Sequence, residues 1–462
     1  MIKMIIIFII INLIGLLSIT LSSNVISNVV DITISNNNNS PSSFLAIESN
    51  NMYDKDKDKK TNSHVLSFIN MNKKEKKRIL ILMSDTGGGH RASALSLEKA
   101  LSQIPELKGS VYSIMDIWTE HGLFPFNTFV KAYRFLAKRP LLWRLFYLYG
   151  WFPPTKKMTE ILSETKCYES FRNAIKGFKP DLVVSVHPLC QLMPLSIVEE
   201  INKENKKEGK PVVPFVTIVT DLGSAHTTWF DKRVTKLFVP SNEVRNAAIK
   251  QGIQPNKIIN HGLPIRQSFW KPTSKKSARK KLGLKDSLKT VTMMAGGDGV
   301  AKLDLIATEV INEIGDQRPD KKTQFIVICG NNKKVMRKLE SKSFKSNIDV
   351  TIKGFCNNIH EYMAASDILI TKAGPGSIAE AMTTGLPLIL SSFLPGQEAG
   401  NVPFCENQGF GIYCTKPKVI AKRVCDLLDD VTQLEKMSMK AKEFARPNAT
   451  IAIAKDIANL IL

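Results

Sequence analysis

A histidine and an aspartate flank three consecutive glycines in the segment SDTGGGHRASA, which spans residues 84–94. Histidine exchanges a proton near neutral pH, so His90 has the chemistry of a general base that activates a hydroxyl group. Asp85 lies in the same loop and is a candidate for orienting that histidine. These two residues are the predicted catalytic pair. The alternative interpretation is that His90 caps the following helix or bonds to the loop, and one run of glycines does not decide between the two.

A second cluster, TKAGPGSIAEA at residues 371–381, contains groups that suit a diphosphate and a ribose. Its Gly-Pro-Gly turn opens a predicted helix, and backbone amides at such an N-terminus attract a diphosphate. The Ser377 hydroxyl adds a donor, and Lys372 supplies a nearby cation. Glu380, one turn into the helix, can accept hydrogen bonds from the two hydroxyls of a ribose.

A further polar turn, PGQEAGN at residues 395–401, follows the next predicted strand. Gln397, Glu398 and Asn401 offer amide and carboxylate groups that suit the hydroxyls of a sugar. Each turn taken singly is also typical of an ordinary connection between a strand and a helix, with a polar residue that caps the helix. Two consecutive polar turns at one edge of one sheet favour a site for a sugar nucleotide.

These clusters follow predicted strands in a chain that alternates strand-like and helix-like segments from residue 78 onward. Such alternation predicts an α/β fold with two successive doubly wound parallel sheets and a ligand cleft between them. The clearest helices span residues 93–102 and 243–251. The strands are predicted at residues 79–83, 181–186, 212–219 and 236–239, and then at residues 290–295, 324–329, 349–353, 368–371 and 388–391.

An apolar run at residues 4–21 and a segment rich in Asn and Lys precede this alternating region. The run is at the lower edge of what spans a bilayer and is equally typical of a signal peptide. Residues 1–30 are therefore predicted to be an apolar signal peptide or a membrane anchor. Residues 31–77 are predicted to be a disordered linker, because they lack the apolar density that offsets ordering entropy.

Aromatic and basic side chains are interleaved in residues 118–157, which hold Trp118, Trp143 and Trp151 among many other rings. Aromatic rings at headgroup depth and cations near an anionic leaflet suit a bilayer interface, so membrane contact is the favoured interpretation. The alternative is an aromatic core with a solvated basic rim.

Lys and Arg number 64 against 42 Asp and Glu, which gives a formal net charge of +22. An excess of this size indicates a polyanionic partner, either an anionic membrane or nucleic acid. The chain carries no nucleic-acid-binding motif, so anionic membrane lipids are the predicted partner and nucleic acid is not. The seven cysteines are scattered without a CxxC pair, which predicts neither a zinc module nor a disulfide scaffold.

Seven motifs follow one another between residues 84 and 404. They are SDTGGGHRASA, TDLGSAHTTWF (220–230), GLPIR (262–266), ICGNNKK (328–334), KGF (353–355), TKAGPGSIAEA and PGQEAGNVPF (395–404). In this order and at this length they resemble the monogalactosyldiacylglycerol synthases, which are lipid galactosyltransferases. The resemblance implies a GT-B fold of two Rossmann-like domains. It also implies inverting transfer of galactose from UDP-galactose to diacylglycerol, with no metal ion or other cofactor.

The resemblance assigns a role to each matched residue. His90 resembles the general base of the family and Asp85 belongs to the loop beside the reacting centre. The residues implied to bind the UDP-sugar are Gly89, Phe355, Lys372, Gly374, Pro375, Gly376, Ser377, Glu380, Gln397, Glu398 and Asn401. The residues implied to meet the acceptor lipid or the membrane are Trp118, Phe126, Arg134, Arg139, Trp143, Trp151 and His226.

The implied domains are an N-terminal Rossmann-like domain at residues 78–265 that binds acceptor and membrane, a linker at residues 266–288, and a C-terminal UDP-sugar-binding domain at residues 289–462. The chain departs from the family at Ala295, Asp298, Ala225 and Thr227, where Gly, Glu, Cys and Pro are expected. The departures bear on the choice of sugar.

The expected activity is therefore a single displacement that transfers galactose from UDP-galactose to 1,2-diacylglycerol in glycolipid biosynthesis. Two alternatives stay open: transfer of glucose or N-acetylglucosamine to a lipid, and a catalytically silent, membrane-bound UDP-sugar-binding protein. A homodimer is also left open. The apolar residues 1–30 favour an endomembrane or secretory location for this membrane-associated protein, and the family alternative is the plastid envelope.

Overall fold

Two parallel β-sheets of six strands each form the framework of the molecule. The computed structural model describes residues 76–137, 139–271, 273–294 and 303–462. The predicted signal peptide or anchor, nearly all of the predicted linker at residues 31–77, and the departures at Ala295 and Asp298 lie outside the described residues. The prediction of an α/β fold with two parallel sheets is confirmed.

The first sheet has the strand order β2-β1-β3-β4-β5-β6, with every neighbouring pair parallel. Its strands are β1 (Arg78–Met83), β2 (Val111–Asp116), β3 (Leu182–Ser185), β4 (Phe215–Ile218), β5 (Lys236–Val239) and β6 (Ile258–Asn260).

The second sheet has the strand order β12-β11-β10-β7-β8-β9 and is also parallel throughout. Its strands are β7 (Lys289–Met294), β8 (Thr323–Ile328), β9 (Ile348–Lys353), β10 (Ile368–Lys372), β11 (Leu388–Ser392) and β12 (Gly411–Tyr413).

Helices connect the strands and cover the sheets. Those of the first half are α1 (Gly88–Leu101), α2 (Ile117–His121), α3 (Phe129–Ala137), α4 (Pro140–Trp151), α5 (Pro153–Phe178), α6 (Leu192–Lys207) and α7 (Asn242–Lys250). Those that follow are α8 (Lys275–Leu282), α9 (Leu303–Gln317), α10 (Lys333–Glu340), α11 (Ile359–Ala365), α12 (Pro375–Thr384), α13 (Asn401–Asn407), α14 (Pro417–Asp429), α15 (Val431–Phe444) and α16 (Ala449–Ala458). Among the described residues, no helix combines the length and the apolar composition needed to cross a bilayer.

Each sheet buries strands on both faces, as parallel sheets require. The run ILILM at residues 79–83 is fully buried, and α1 covers it with Ala94, Leu97 and Leu101. At about 25 cal/mol per Å² of apolar area removed from water, burial of each such side chain contributes roughly 1.5–3 kcal/mol. The packed core beneath the glycine turn therefore fixes where β1 ends and α1 begins.

The topology determines where ligands meet each sheet. β1 lies between β2 and β3, and β7 lies between β10 and β8, so the strand order of each sheet reverses at one place. Ligands of open α/β sheets bind outside the carboxyl ends of the strands at such a reversal. The glycine turn follows β1 and the Gly-Pro-Gly turn follows β10, so both predicted clusters lie at these positions.

The last helix, α16, returns to the first half of the chain and packs against α1. The Thr450 hydroxyl accepts a hydrogen bond from the amide of Ile265 at 2.9 Å and donates to the carbonyl of the same residue at 3.1 Å. Residues 77–462 form one compact unit, within which both sheets lie.

Candidate active site

The glycine turn leaves open space above the start of α1. Gly87 has φ 139°, a conformation that side-chain-bearing residues rarely adopt, and this lets the chain turn sharply from β1 into the helix. A Cβ atom placed on Gly87, Gly88 or Gly89 would meet no atom within 4 Å. The turn therefore has room for a ligand against its backbone, next to the first free amides of α1.

His90 is buried one residue beyond this turn. Its Nδ1 lies 3.0 Å from the carbonyl oxygen of Val186 and 2.9 Å from Oγ1 of Thr220. Because a carbonyl oxygen can only accept, Nδ1 carries the proton and donates it to Val186. The other ring nitrogen, Nε2, therefore keeps its lone pair, which is the state that a general base needs.

Burial lowers the pKa of His90 to about 4, although the hydrogen bond to Val186 and the charge of Asp85 partly oppose the shift. The imidazole is consequently neutral at pH 7.

The prediction that Asp85 orients the ring of His90 through a direct bond is wrong. The Asp85 carboxylate pairs with the guanidinium of Arg91 through two hydrogen bonds of 2.7 and 2.6 Å. The ring of His90 is held by Val186 and Thr220 instead, because these groups lie at the ends of β3 and β4 and face the ring. Asp85 acts on His90 through its charge, which partly opposes the lowering of the His90 pKa.

A second buried histidine, His187, lies against His90, with ring centroids 4.4 Å apart in an edge-on arrangement. Its Nδ1 accepts from the amide of Leu189 at 3.1 Å, so Nε2 carries the proton and donates to Oγ1 of Thr86 at 2.7 Å. Burial, and then the neighbouring His90, holds the pKa of His187 well below its usual value. The sequence prediction missed this residue, although a histidine directly after the strand predicted at residues 181–186 could have indicated it.

The motif at residues 220–230 contributes a buried acid to the same region. Asp221 accepts a hydrogen bond from Nε1 of Trp229 at 2.7 Å, and the Trp229 ring lies 6.3 Å from that of His90. Burial raises the pKa of Asp221 to about 7. The predicted residue His226 is exposed, and its Nδ1 pairs with the Thr228 hydroxyl at 2.8 Å.

The Gly-Pro-Gly turn leads from β10 into α12 as predicted. Gly374 precedes the helix, Pro375 is its first residue, and a Cβ on Gly376 would meet no atom within 4 Å. The first amides of a helix have no partners within it, so those of Gly376 and Ser377 are available to an anion.

Glu380 is buried in the first turns of α12 and pairs with Arg266 through two hydrogen bonds, from Nε at 2.6 Å and from Nη2 at 2.5 Å. Arg266 ends the GLPIR motif, and no chemistry was predicted for it. The pair connects residues 114 positions apart.

Lys372 forms an ion pair with the buried carboxylate of Glu398, which also accepts from the amide of Leu394 at 2.9 Å. The Lys372 cation therefore lies beside the Gly-Pro-Gly turn, where a Cβ on Gly374 would come within 3.8 Å of its Nζ. This arrangement places a charge next to the amides available to an anion.

Asn401 joins the two halves of the molecule, the first of which contains the sheet β1–β6 and the second the sheet β7–β12. Its side-chain oxygen accepts from the amide of Gly223, and its side-chain nitrogen donates to the carbonyl of Ala373, each at 2.8 Å. Gln397 accepts a hydrogen bond from the Tyr133 hydroxyl at 2.8 Å. Phe355, in the loop after β9, is exposed. The contacts of these residues with a UDP-sugar stay predictions.

The predicted membrane residues Trp118, Phe126 and Trp143 are buried, which corrects their assignment. The Trp118 ring packs edge-on against Phe171 at 5.0 Å, because α2 lies against the long helix α5. The alternative of an aromatic core is thus right for these three rings. The side chain of Trp151 lies outside the described part.

Other apolar side chains of the same region are exposed, and basic side chains lie among them. Arg134 and Arg139 are exposed; the former donates to the carbonyl of Asp85 at 3.3 Å, and the latter stacks on the Phe135 ring. The exposed apolar side chains are Leu123, Phe124, Leu145, Leu148 and Phe152.

Within the described ranges, no three His, Cys, Asp or Glu side chains are grouped so that they could hold a metal ion. The expectation of a metal-independent reaction stays a prediction.

Comparison with known proteins identifies relatives of the whole described region. The model of the monogalactosyldiacylglycerol (MGDG) synthase family matches residues 90–265, and that of the glycosyltransferase family 28 C-terminal domain matches residues 290–459. The chain is 42% identical over 392 residues to the chloroplastic monogalactosyldiacylglycerol synthase of Spinacia oleracea, covering 83% of this chain and 73% of that protein. It is 40% identical over 389 residues to monogalactosyldiacylglycerol synthase 1, chloroplastic, of Arabidopsis thaliana, covering 83% and 71%.

Two solved structures share the fold. MurG of Acinetobacter baumannii is similar with a TM-score of 0.52 at 15% identity, covering 83% of this chain and 99% of that one. The kitacinnamycin glycotransferase is similar with a TM-score of 0.53 at 12% identity, covering 84% and 99%. Together with the two six-stranded parallel sheets, these likenesses confirm the predicted GT-B fold.

Proposed function

The chain belongs to the monogalactosyldiacylglycerol synthase family and is a UDP-galactose:diacylglycerol galactosyltransferase, and we propose that His90 is the general base of its reaction. The observation that carries this proposal is the hydrogen bond from Nδ1 of His90 to the carbonyl of Val186. It leaves Nε2 ready to take the proton of the acceptor hydroxyl. Because the ring is held in advance, little reorientation is needed when the acceptor binds.

The proposed reaction is a single displacement. As Nε2 of His90 removes the proton, the hydroxyl oxygen of diacylglycerol forms a bond to C1 of galactose on the face opposite to UDP. The bond from C1 to the UDP oxygen breaks, its electron pair leaves with UDP, and the configuration at C1 inverts. The amides of Gly376 and Ser377 and the cation of Lys372 stabilise the charge on UDP, so the reaction uses no metal ion.

The donor site in this proposal follows the loops at the carboxyl edge of the second sheet. Glu380 accepts from the ribose hydroxyls, and the backbone at Phe355 recognises uracil. Gln397, Glu398 and Asn401 contact the hexose. The ion pairs of Glu380 and Glu398 support these roles, since a buried carboxylate that is already held by a cationic side chain keeps its position when a ligand covers it.

The proposed membrane contact uses the exposed side chains of α4 and the segments beside it. Leu145 is 57% exposed and Leu148 is 49% exposed on the same helix, and exposed arginines, among them Arg139 and Arg144, lie among the apolar residues. Apolar side chains that enter the interface and cations near anionic headgroups bind a membrane surface together. Anionic membrane lipids are the proposed partner. For the compartment, the chloroplastic names of the relatives favour the plastid envelope over the secretory location predicted from residues 1–30.

Transfer of radiolabelled galactose from UDP-galactose to diacylglycerol, in vesicles that contain anionic lipid, tests the proposal on the full chain. His90→Ala should lower turnover by roughly 10²- to 10⁴-fold, the usual worth of a general base, and leave the dissociation constant of UDP unchanged. Loss of UDP binding together with turnover would instead make His90 a donor ligand or a fold element. Transfer from UDP-glucose but not from UDP-galactose would overturn the assignment of UDP-galactose as the donor and leave the assignment of His90 as the general base unchanged.

A further inference from the structure

We propose that Tyr133 is a positioning residue for the donor sugar, because it fixes the orientation of the Gln397 amide from the opposite half of the molecule. Tyr133 lies on α3 in the first half, and Gln397 lies in the loop after β11 in the second. The Tyr133 hydroxyl donates to Oε1 of Gln397 at 2.8 Å, across 264 positions in the chain. This inference rests on the proposed contact between Gln397 and the hexose.

A second bond ties the same loop to the same helices. Nε1 of Trp143, on α4, donates to the carbonyl of Pro395 at 2.9 Å. The Trp143 ring is only 6% exposed and packs edge-on against Tyr133, with centroids 5.1 Å apart and an interplanar angle of 89°. The two rings therefore hold each other in place. Together they bond to Pro395 and Gln397, which are two residues apart in the loop after β11, here called the donor loop because it is proposed to contact the donor sugar.

The bond from Tyr133 determines which atom of the amide is available to the sugar. A glutamine amide can rotate so that its oxygen and nitrogen exchange places, and only its hydrogen bonds decide between the two orientations. With Oε1 held by the Tyr133 hydroxyl, Nε2 is directed away from that hydroxyl. The amide consequently offers a donor to the hexose, and it rejects a sugar whose hydroxyl is not placed to accept.

The same helix also contacts the loop that holds the base. Arg134, the neighbour of Tyr133, donates from Nη2 to the carbonyl of Asp85 at 3.3 Å. Helix α3 thus contacts the glycine turn on one side and the donor loop on the other. The acceptor half of the molecule therefore contributes to the choice of sugar, which is a property otherwise assigned to the second half.

Tyr133→Phe removes the hydroxyl and keeps the ring. We expect the dissociation constant of UDP-galactose, measured by calorimetry on the full chain, to rise about 3- to 10-fold, the effect of one lost hydrogen bond. The dissociation constant of UDP should not change, because UDP lacks the hexose. The ratio of turnover with UDP-galactose to turnover with UDP-glucose should fall. Tyr149→Phe is the matched control, since its hydroxyl bonds to Thr159 on α5 at 3.2 Å and both binding constants should stay constant.

Trp143→Phe provides a second variant that keeps an aromatic ring and loses the donor to Pro395. This variant should also raise the dissociation constant of UDP-galactose. In the double variant the dissociation constant should rise by less than the product of the two single effects, because both bonds hold one loop. If Tyr133→Phe weakened the binding of UDP and of UDP-galactose equally, Tyr133 would only maintain the fold. If neither dissociation constant changed, Tyr133 would have no role in binding the donor sugar. If the unmodified protein prefers UDP-glucose, the proposed donor fails, and the same comparison with UDP-glucose still decides the role of Tyr133.

Discussion

The guanidinium of Arg266 and the carboxylate of Glu380 form a two-bond ion pair between the last residue of the GLPIR motif and the first turns of α12. The Glu380 side chain is 6% exposed and the Arg266 side chain is 40% exposed, so the arginine holds the buried carboxylate in place from the solvent side. The pair presents a fixed carboxylate to the proposed ribose site.

Arg266→Met should therefore weaken UDP binding. Removal of the guanidinium leaves a buried carboxylate without its partner, which favours movement of Glu380 away from its position. Because Arg266 is well exposed, we expect a modest effect of about 1–2 kcal/mol, or 5- to 30-fold in the dissociation constant of UDP. Calorimetry with UDP measures it. Arg233→Met is the control, since Arg233 pairs with Asp231 and Glu199 in the first half and should not affect UDP.

The pH dependence of kcat/KM should show an acid limb near pH 4. The neutral form of His90 is the active one, and burial lowers its pKa to about 4, so protonation begins to remove activity only in that range. An ordinary histidine would give a midpoint near pH 6.5. Brief exposure to acid followed by assay at pH 7 separates titration from unfolding. A limb near pH 6.5 in the reversible range would contradict the assignment.

The contribution of His90 and His187 to the free energy of unfolding should fall as the pH falls below about 6.5, whereas Asp221, whose pKa burial raises to about 7, contributes in the opposite direction. Burial holds the pKa values of His90 and His187 below that of a free histidine, so the unfolded chain binds more protons than the folded chain in this range. The stability that the two histidines contribute is consequently lost on acidification and regained as the pH rises towards 7. For His90 alone the loss by pH 4 is of the order of 3 kcal/mol. Urea unfolding at several pH values measures the slope, which His187→Gln should reduce. A slope that stays the same in His187→Gln would refute the contribution of that residue.

Gly223→Ala should impair catalysis by holding the two halves apart. A Cβ atom on Gly223 would overlap the carbonyl of Gly400, which is backbone and cannot move aside as a flexible side chain does. The backbone movement needed to relieve this overlap would also break the hydrogen bond from the Gly223 amide to Asn401. We expect at least a 10-fold loss of kcat/KM, checked by the galactose-transfer assay. In Gly177→Ala the added methyl group on α5 meets no atom within 4 Å, so activity should be unchanged.

Leu145→Glu with Leu148→Glu should weaken binding to vesicles that contain anionic lipid. Each leucine that enters the interface contributes of the order of 1 kcal/mol or more, and each added carboxylate is repelled by anionic headgroups. A loss of at least 10-fold in the partition coefficient is expected from vesicle co-sedimentation. Met439→Glu is the control, because Met439 is 65% exposed on α15 and lies outside the proposed membrane surface. Equal loss in the control would indicate a general charge effect.

Much of the framework follows from local pattern. Continuous apolar runs such as residues 79–83 predict buried parallel strands, and glycine turns directly after β1 and β10 predict ligand loops. Strand β2 was missed because its residues are mostly half-exposed, and β6 and β12 were missed because each is only three residues long. Short edge strands carry too little periodicity to be recognised.

The partners of the site residues could not be predicted in the same way. His90 is held by Val186, which lies 96 residues away, and Glu380 is held by Arg266, which lies 114 residues away. Such pairs depend on the order of strands in the sheets and on how the halves meet, which no local pattern encodes. Composition alone likewise does not show which aromatic rings of residues 118–157 are buried.

Helix α16 changes the mechanics of the whole enzyme, because the polypeptide passes between the two halves twice. One passage runs through Ile265 and the other leads into Thr450, and hydrogen bonds join these two residues side by side. If a single polypeptide segment connected the halves, they could rotate about it in any direction. Two adjacent connections that are hydrogen-bonded to each other restrict the relative movement of the two halves more than a single connection would.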